Sequence, residues 1–294
     1  MFKKILVPLD GSGECKSVLP YIRDLAPRFG AETHILGIGV GSKKRKVNRL
    51  LENYINDVAR DLCTDNVKAS PVIQYGRPAE EILTYVVKNN IDLIVMATHG
   101  RGGITRWWMG SVAEKIICTA LIPVLIVRSK YLGDTEANKK ITIHNILIPL
   151  DGSDIGEAAL RHAEALAVKT GASLNLVHVI PSPGGFDANK FNSEYNKLIN
   201  SMHDSGENYF SRITEDLNKK RLSFTNKVIT GDPANVIIDN INEEEGNLIA
   251  MSTHGRSGIA RWVLGSVTDK VLHEATIPMW LVRSQKIIDT QHKE

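Results

Sequence analysis

Short apolar runs alternate with stretches whose apolar residues recur every three or four positions. Lys4 to Leu9 reads as a buried strand. Gly13 to Phe29 has helical spacing, made irregular by Pro20 and Pro27. Thr33 to Val40 is a second strand. Val47, Leu50, Leu51, Tyr54, Ile55, Val58, Ala59 and Leu62 line one face of a helix. Ala69 to Gln74 is a third strand. Pro78 opens the next helix, where a missing N–H costs nothing, and Ala79, Ile82, Leu83, Val86 and Val87 form its apolar face. Asp92 to Ala97 is a fourth strand, Ser111 to Ala120 a helix and Pro123 to Arg128 a fifth strand. Five strands alternating with helices predict an α/β fold with a parallel sheet covered on both faces. Ligands of such sheets bind outside the carboxyl ends of the strands, where the strand order reverses.

The pattern then repeats. Ile5-Leu6-Val7-Pro8-Leu9-Asp10-Gly11-Ser12 matches Ile146-Leu147-Ile148-Pro149-Leu150-Asp151-Gly152-Ser153, an offset of 141 from Asp10 to Asp151. Gly76-Arg77-Pro78-Ala79 matches Gly231-Asp232-Pro233-Ala234, an offset of 155. The second half thus carries 14 extra residues between Gly171 and Gly231, which we place at Pro181 to Gly185 and the stretch that follows. Ile155 to Lys169, the counterpart of the first helix, contains no proline and should be a cleaner helix. Residues 1–129 and 143–285 read as two similar domains. The polar, aperiodic residues 130–142 read as a linker and 286–294 as a frayed tail.

Each half carries a glycine-rich stretch between its fourth strand and the following helix. The first is Ala97-Thr98-His99-Gly100-Arg101-Gly102-Gly103 through Gly110-Ser111-Val112. The second is Ser252-Thr253-His254-Gly255-Arg256-Ser257-Gly258 through Gly265-Ser266-Val267. A glycine-rich loop entering a helix N-terminus is an anion site, because its amides point outward and the helix dipole favours negative charge. The net charge of +3 argues against a protein built to coat nucleic acid. Three widely spaced cysteines, Cys15, Cys63 and Cys118, signal neither a disulfide framework nor a zinc site; reduced, mostly buried thiols in a cytoplasmic protein are expected. No apolar run is long enough to span a bilayer.

These residues resemble the universal stress protein family, present here as a tandem pair. The family loop is Gly, two residues, Gly, nine residues, then Gly followed by Ser or Thr. Gly100, Gly110 and Ser111 match its second and third glycines, as do Gly255, Gly265 and Ser266. The Pro-x-Asp openings Pro8/Asp10 and Pro149/Asp151 match as well. Ala97 and Ser252 stand in place of the first glycine, and both would be strained if a positive φ were required there. The resemblance implies two domains, each with a five-stranded parallel sheet in the order 3-2-1-4-5 and helices on both faces. It implies binding of ATP or AMP, with magnesium bridged by the phosphates. Asp10 and Asp151 would meet the adenine edge, and Ile38 and Val179 the base. Gly100, Gly110, Ser111 and Val112 would hold ribose and phosphates, as would Gly255, Gly265, Ser266 and Val267.

Simpler roles compete with these. Ser111 and Ser266 begin capping-box patterns, Ser-Val-Ala-Glu and Ser-Val-Thr-Asp. Asp10 and Asp151 precede Gly-Ser and suit a turn. His99 and His254 have no partner at catalytic spacing, so loop-supporting hydrogen bonds are expected of them. Arg101, Arg106, Arg256 and Arg261 suit phosphate pairing or plain solvation. Trp107, Trp108 and Trp262 suit a groove or an interface. No P-loop is present. With no nucleophile, general base or metal-ligand set evident, the expectation is a nucleotide-binding stress or regulatory protein that acts by occupancy and is read by an unidentified protein partner. An interaction module that has lost nucleotide binding and an ATP-dependent enzyme are the alternatives. The fifth strands, otherwise open edges, are expected to face each other as an intramolecular pseudo-dimer, with homodimerisation as a further option.

Overall fold

The structure is a computed structural model and describes residues 2–39, 45–98, 109–128, 134–181, 193–241, 247–255 and 264–284. The chain forms two compact units. The first is Met1–Thr142 with Thr276–Arg283, and the second is Ile143–Ala275 with the chain from Ser284 onward.

In the first unit β1 (Lys4–Leu9), β2 (Glu32–Gly39), β3 (Lys68–Tyr75), β4 (Leu93–Ala97) and β5 (Val124–Val127) lie in the order β3-β2-β1-β4-β5, all parallel. The last strand of the chain, β10 (Met279–Val282), clusters with this unit and pairs antiparallel with β5, so that β5 is not left as an open edge. Every residue of β4, β5 and β10 is buried, which is why these strands read as unbroken apolar runs. The predicted helix over Gly13–Phe29 divides into a 3₁₀ turn, Glu14–Val18, and α1 (Leu19–Phe29). Pro20 occupies the first turn of α1, where no N–H is needed, and Gly30 caps the helix at φ 62°. α2 (Arg45–Thr64), α3 (Pro78–Asn89) and α4 (Ser111–Thr119) complete the unit. Leu50 and Val87, assigned by spacing to the apolar faces of α2 and α3, are exposed at the margins of those faces.

The described part of the polar stretch after β5, residues 134–142, belongs to the first unit. It holds a short helix, α5 (Asp134–Ala137), and packs on α1. The Arg23 side chain, 3% exposed, donates to the Ala137 carbonyl at 3.2 Å and to Asn138 Oδ1 at 2.9 Å, and it pairs with Asp61 and Asp65. The neighbouring Asp24 is fully buried and accepts from Arg28 and from Thr142 Oγ1. The Ile141 N–H donates to the Pro20 carbonyl. These residues look aperiodic in sequence because buried charges, rather than an apolar stripe, hold them.

In the second unit β6 (Asn145–Leu150), β7 (Ser173–Pro181), β8 (Phe224–Gly231) and β9 (Asn247–Ser252) lie in the order β8-β7-β6-β9, all parallel. Its helices are α6 (Ala158–Thr170), α7 (Ser193–Lys219), α8 (Pro233–Asp239) and α9 (Ser266–Glu274). α6 starts at Ala158, because the chain from Asp154 to Glu157 forms a turn rather than a helix. α7 has 27 residues where α2 has 20, so half of the 14 extra residues lengthen a helix instead of a loop. The other half falls in a stretch that includes 182–192, outside the described residues.

The two halves fill one packing site in opposite ways. A Cβ on Gly37 of β2 would fall 2.8 Å from Ile55 and 3.2 Å from Leu51. The second half has His178 where the first has Gly37, and Gly206 where the first has Leu51; there a Cβ on Gly206 would fall 3.1 Å from the His178 ring. His178 is buried, donates through Nδ1 to the Leu150 carbonyl at 2.8 Å and packs on Phe210. The expectation of mostly buried thiols is corrected: Cys15 is buried, Cys118 half-buried and Cys63 exposed, and none of the three is in a disulfide. Among the described residues no helix is long and apolar enough to cross a membrane.

Two stability predictions follow from these contacts. Burial, with Arg161 beside it, holds the His162 imidazole down at about 4 from an ordinary value of 6.5. The fold therefore favours the neutral ring, and stability is lost as pH falls from 6.5 toward that lowered value. Urea unfolding at about pH 7 and about pH 4.5 should show a loss about 2 kcal/mol larger for the natural chain than for His162→Tyr, which carries the residue found at the matching position, Tyr21. Removing the buried guanidinium with Arg23→Leu should lower stability by about 3 kcal/mol. The same change should speed trypsin cleavage at Lys139 and Lys140, because the segment loses its anchor.

Candidate functional site

β1 stays paired with β2 as far as Leu9, opposite Gly37. Its register with β4 covers only Ile5 and Leu6, while β4 runs on beside β5 to Ala97. Beyond Leu6 the two central strands therefore part. The second unit does the same: β6 pairs with β9 at Asn145, Ile146 and Leu147, and with β7 as far as Leu150. Pro8 and Pro149, both half-buried, stand in the parted stretch, where the missing N–H takes nothing from the neighbouring strand. The crevice so opened is the switch point of the sheet. Ile38 (half-buried) and Val179 (buried) lie near the ends of β2 and β7 on the same rim.

Asp10 and Asp151 follow at once. Asp10 Oδ1 accepts from the Ser12 N–H at 2.9 Å and from Ser12 Oγ at 2.7 Å; Asp151 Oδ1 accepts from the Ser153 N–H at 3.0 Å and from Ser153 Oγ at 2.6 Å. The turn role is thus filled at both positions, with Gly11 and Gly152 at φ 85° and 81° inside it. The Asp151 carboxylate also lies against two glycines. A Cβ on Gly156 would fall 2.4 Å from its Oδ1, and one on Gly255 2.5 Å from its Oδ2. The first half has Cys15 in the place of Gly156. The Cys15 thiol donates to the Ser12 carbonyl at 3.0 Å and lies 3.3 Å from the Tyr54 hydroxyl. Burial above all, with Asp10 nearby, pushes this thiol up. Tyr209, the counterpart of Tyr54, lies under the guanidinium of Arg212, which pairs with Glu157. Neither tyrosine was singled out in the sequence, because each also fits the apolar face of its helix.

Ala97 and Ser252 end β4 and β9, and neither has a positive φ, so the strain considered for a non-glycine residue there does not arise. The Gly110 N–H donates to the Thr98 carbonyl and the Gly265 N–H to the Thr253 carbonyl, each at 2.9 Å, closing both loops identically. Gly110 and Gly265 themselves are the N-caps of α4 and α9, without a side-chain cap. The capping-box reading is therefore corrected: Ser111 and Ser266 are the first residues inside their helices, exposed and not capping. Val112 and Val267 behind them are half-buried. His254 is buried, with Nδ1 at 3.0 Å from Thr253 Oγ1, a loop-supporting contact. His99, Gly100, Arg101, Arg106, Arg256 and Arg261 lie outside the described residues, as do Trp107, Trp108 and Trp262. Among the described residues no group of three or more His, Cys, Asp and Glu is placed to hold a metal.

Ser252 does more than fill a glycine's place. Its hydroxyl reaches the carbonyls of Ile155 at 2.8 Å and Gly156 at 3.1 Å. Thr268 Oγ1, in the first turn of α9, donates to the Ser252 carbonyl at 3.0 Å. Position-by-position comparison of the halves marks both residues, since the first half has Ala97 and Ala113 in their places.

Comparison with known proteins bears on the whole chain. A sequence model of the universal stress protein family matches residues 1–128 and again 142–283. Universal stress protein MJ0531 of Methanocaldococcus jannaschii is 30% identical over 141 residues, which is 44% of this chain and 83% of that protein. Universal stress protein Rv2005c of Mycobacterium tuberculosis is 27% identical over 204 residues, which is 67% of this chain and 63% of that protein. A universal stress protein crystal structure from Archaeoglobus fulgidus superposes with a TM-score of 0.67 at 20% identity, over 95% of this chain and 98% of that one. Another universal stress protein, crystallised with cAMP, matches 44% of this chain and 98% of its own at 17% identity with a TM-score of 0.38. With the family pattern met once in each half, on a sheet that opens at the same point in both, the chain belongs to the universal stress protein family as a tandem of two family domains.

Proposed function

We propose that each half binds an adenine nucleotide, ATP or AMP, and that occupancy is the state read by a protein partner in a stress or regulatory response. The observation that carries this reading is the pairing, twice over, of a carboxylate at the strand-parting crevice with a helix N-terminus whose amides lack a side-chain cap. Uncapped first-turn amides and the helix dipole favour phosphate. Ser111 and Ser266, released from capping and exposed, add hydroxyls at the same place. Gly110 and Gly265 let phosphate oxygens approach the backbone. Asp10 and Asp151 would accept from the adenine amino group, with Ile38 and Val179 against the base. Magnesium would arrive on the phosphates, and its role is to neutralise their charge. The loop histidine His254 is buried beside the Thr253 hydroxyl, a position that suits support of the loop.

Calorimetric titration of ATP–Mg into nucleotide-stripped protein tests this. Two sites are expected, one lost with Gly110→Val and the other with Gly265→Val. A Cβ at 265 would meet only ordinary contacts, the nearest 3.4 Å away, so Gly265→Val should fold normally while its side chain excludes the phosphates. Gly255→Ala should drive the Asp151 carboxylate from its place and weaken the second site by about tenfold or more. AMP and cAMP in the same titration rank the ligands. Absence of heat and of any thermal shift with all three overturns the proposal, and ATP turnover by the pure protein that His254→Ala abolishes overturns the occupancy reading.

A further inference from the structure

The carboxylate end and the phosphate end of the second-half site are joined by hydrogen bonds that link up through the residues Ser252 and Gly156. Thr268 Oγ1, in the first turn of α9, donates to the Ser252 carbonyl. Ser252 Oγ donates to the carbonyls of Ile155 and Gly156. The Gly156 N–H donates to Ser153 Oγ at 3.0 Å, and Ser153 Oγ donates to Asp151 Oδ1 at 2.6 Å. Ser252 and Thr268 are 6% and 4% exposed, so water competes little for these bonds. Gly156 has to be glycine for the chain to close, since a side chain there would collide with Asp151.

The first half lacks every added link. Ala97 replaces Ser252 and Ala113 replaces Thr268, neither with a side-chain hydroxyl, and Cys15 replaces Gly156. Its Asp10–Ser12 turn is intact, but the Cys15 thiol is turned to the Ser12 carbonyl and Tyr54 instead of joining the turn to the end of β4.

We infer that Ser252 and Thr268 are positioning residues that lock the two ends of the second-half site in register and make it the tighter of the two nucleotide sites. The inference rests on the reading of both halves as nucleotide sites. A site held in its binding geometry before the ligand arrives loses less freedom on binding. Alanine is the natural residue at both matching positions of the first half, so Ser252→Ala/Thr268→Ala removes the lock without placing a foreign side chain in the core.

The experiment is calorimetry of ATP–Mg on the full chain, natural and Ser252→Ala/Thr268→Ala, each also carrying Gly110→Val or Gly265→Val to isolate one site. Amide hydrogen exchange at Ser153 and Gly156 is followed in parallel. The natural second-half site should bind about tenfold more tightly than the first. The double alanine variant should bring it to the level of the first and leave the first unchanged. Faster exchange at Ser153 and Gly156 should accompany the loss, although the melting temperature stays near that of the natural chain. Binding at the second half alone, abolished or weakened by the double variant, also supports the inference. Equal affinities, a tighter first half, or an unchanged second site in the double variant overturns it while leaving nucleotide binding standing. No heat from the natural chain removes the nucleotide reading itself, and this inference with it.

Discussion

A strand in a sheet can be hydrogen-bonded on both sides only while both neighbours run beside it. β1 and β6 each keep one neighbour to the end and leave the other after two or three pairs. The features of each site depend on that parting. It admits Pro8 and Pro149 into otherwise central strands, and it delivers Asp10 and Asp151 to the mouth of a crevice instead of into a ladder. It also lets β4 and β9 end in loops that return to a helix N-terminus on the same rim. Strand order alone thus brings carboxylate and amides to one end of the sheet, with no long-range ion pair needed to assemble them.

Around this shared frame the halves have settled on different local solutions. The first encloses a thiol between the Asp10 turn and Tyr54; the second has a glycine in its place, with Glu157 and Arg212 outside. The first helices also differ in buried charge. Arg23 and Asp24 fasten the 134–142 segment to α1, whereas the matching positions in α6 are Glu164 and Ala165. A buried guanidinium is tolerable because two carboxylates, a carbonyl and an amide surround it.

The strand and helix succession was legible because it rests on apolar periodicity, and burial in the structure follows that periodicity closely. Misreadings arose where another force decided the outcome. Residues 134–142 show no apolar period because charges anchor them. Ser111 and Ser266 looked like caps because Ser-x-x-Glu and Ser-x-x-Asp suit one, yet the glycine before each serine takes that position and its extended ψ starts the helix one residue earlier. Half of the insertion was hidden because a longer α7 keeps helical spacing and so gives no loop signal. At the site, Asp10 and Asp151 could be found from their Pro-x-Asp setting. The Ser252 side-chain bonds could not, because that hydroxyl's partners lie about a hundred residues away in the chain, at Ile155 and Gly156.

The reversed knob and hole between strand and helix has a historical consequence. Tandem repeats encoded side by side can exchange segments by unequal recombination, which keeps them alike. Here a swap of β2 alone would set His178 against Leu51, and a swap of the helix alone would leave Gly37 facing Gly206. The first overfills the core and the second hollows it. Only exchange of strand and helix together preserves packing, so partial exchange between the halves would be penalised at this site.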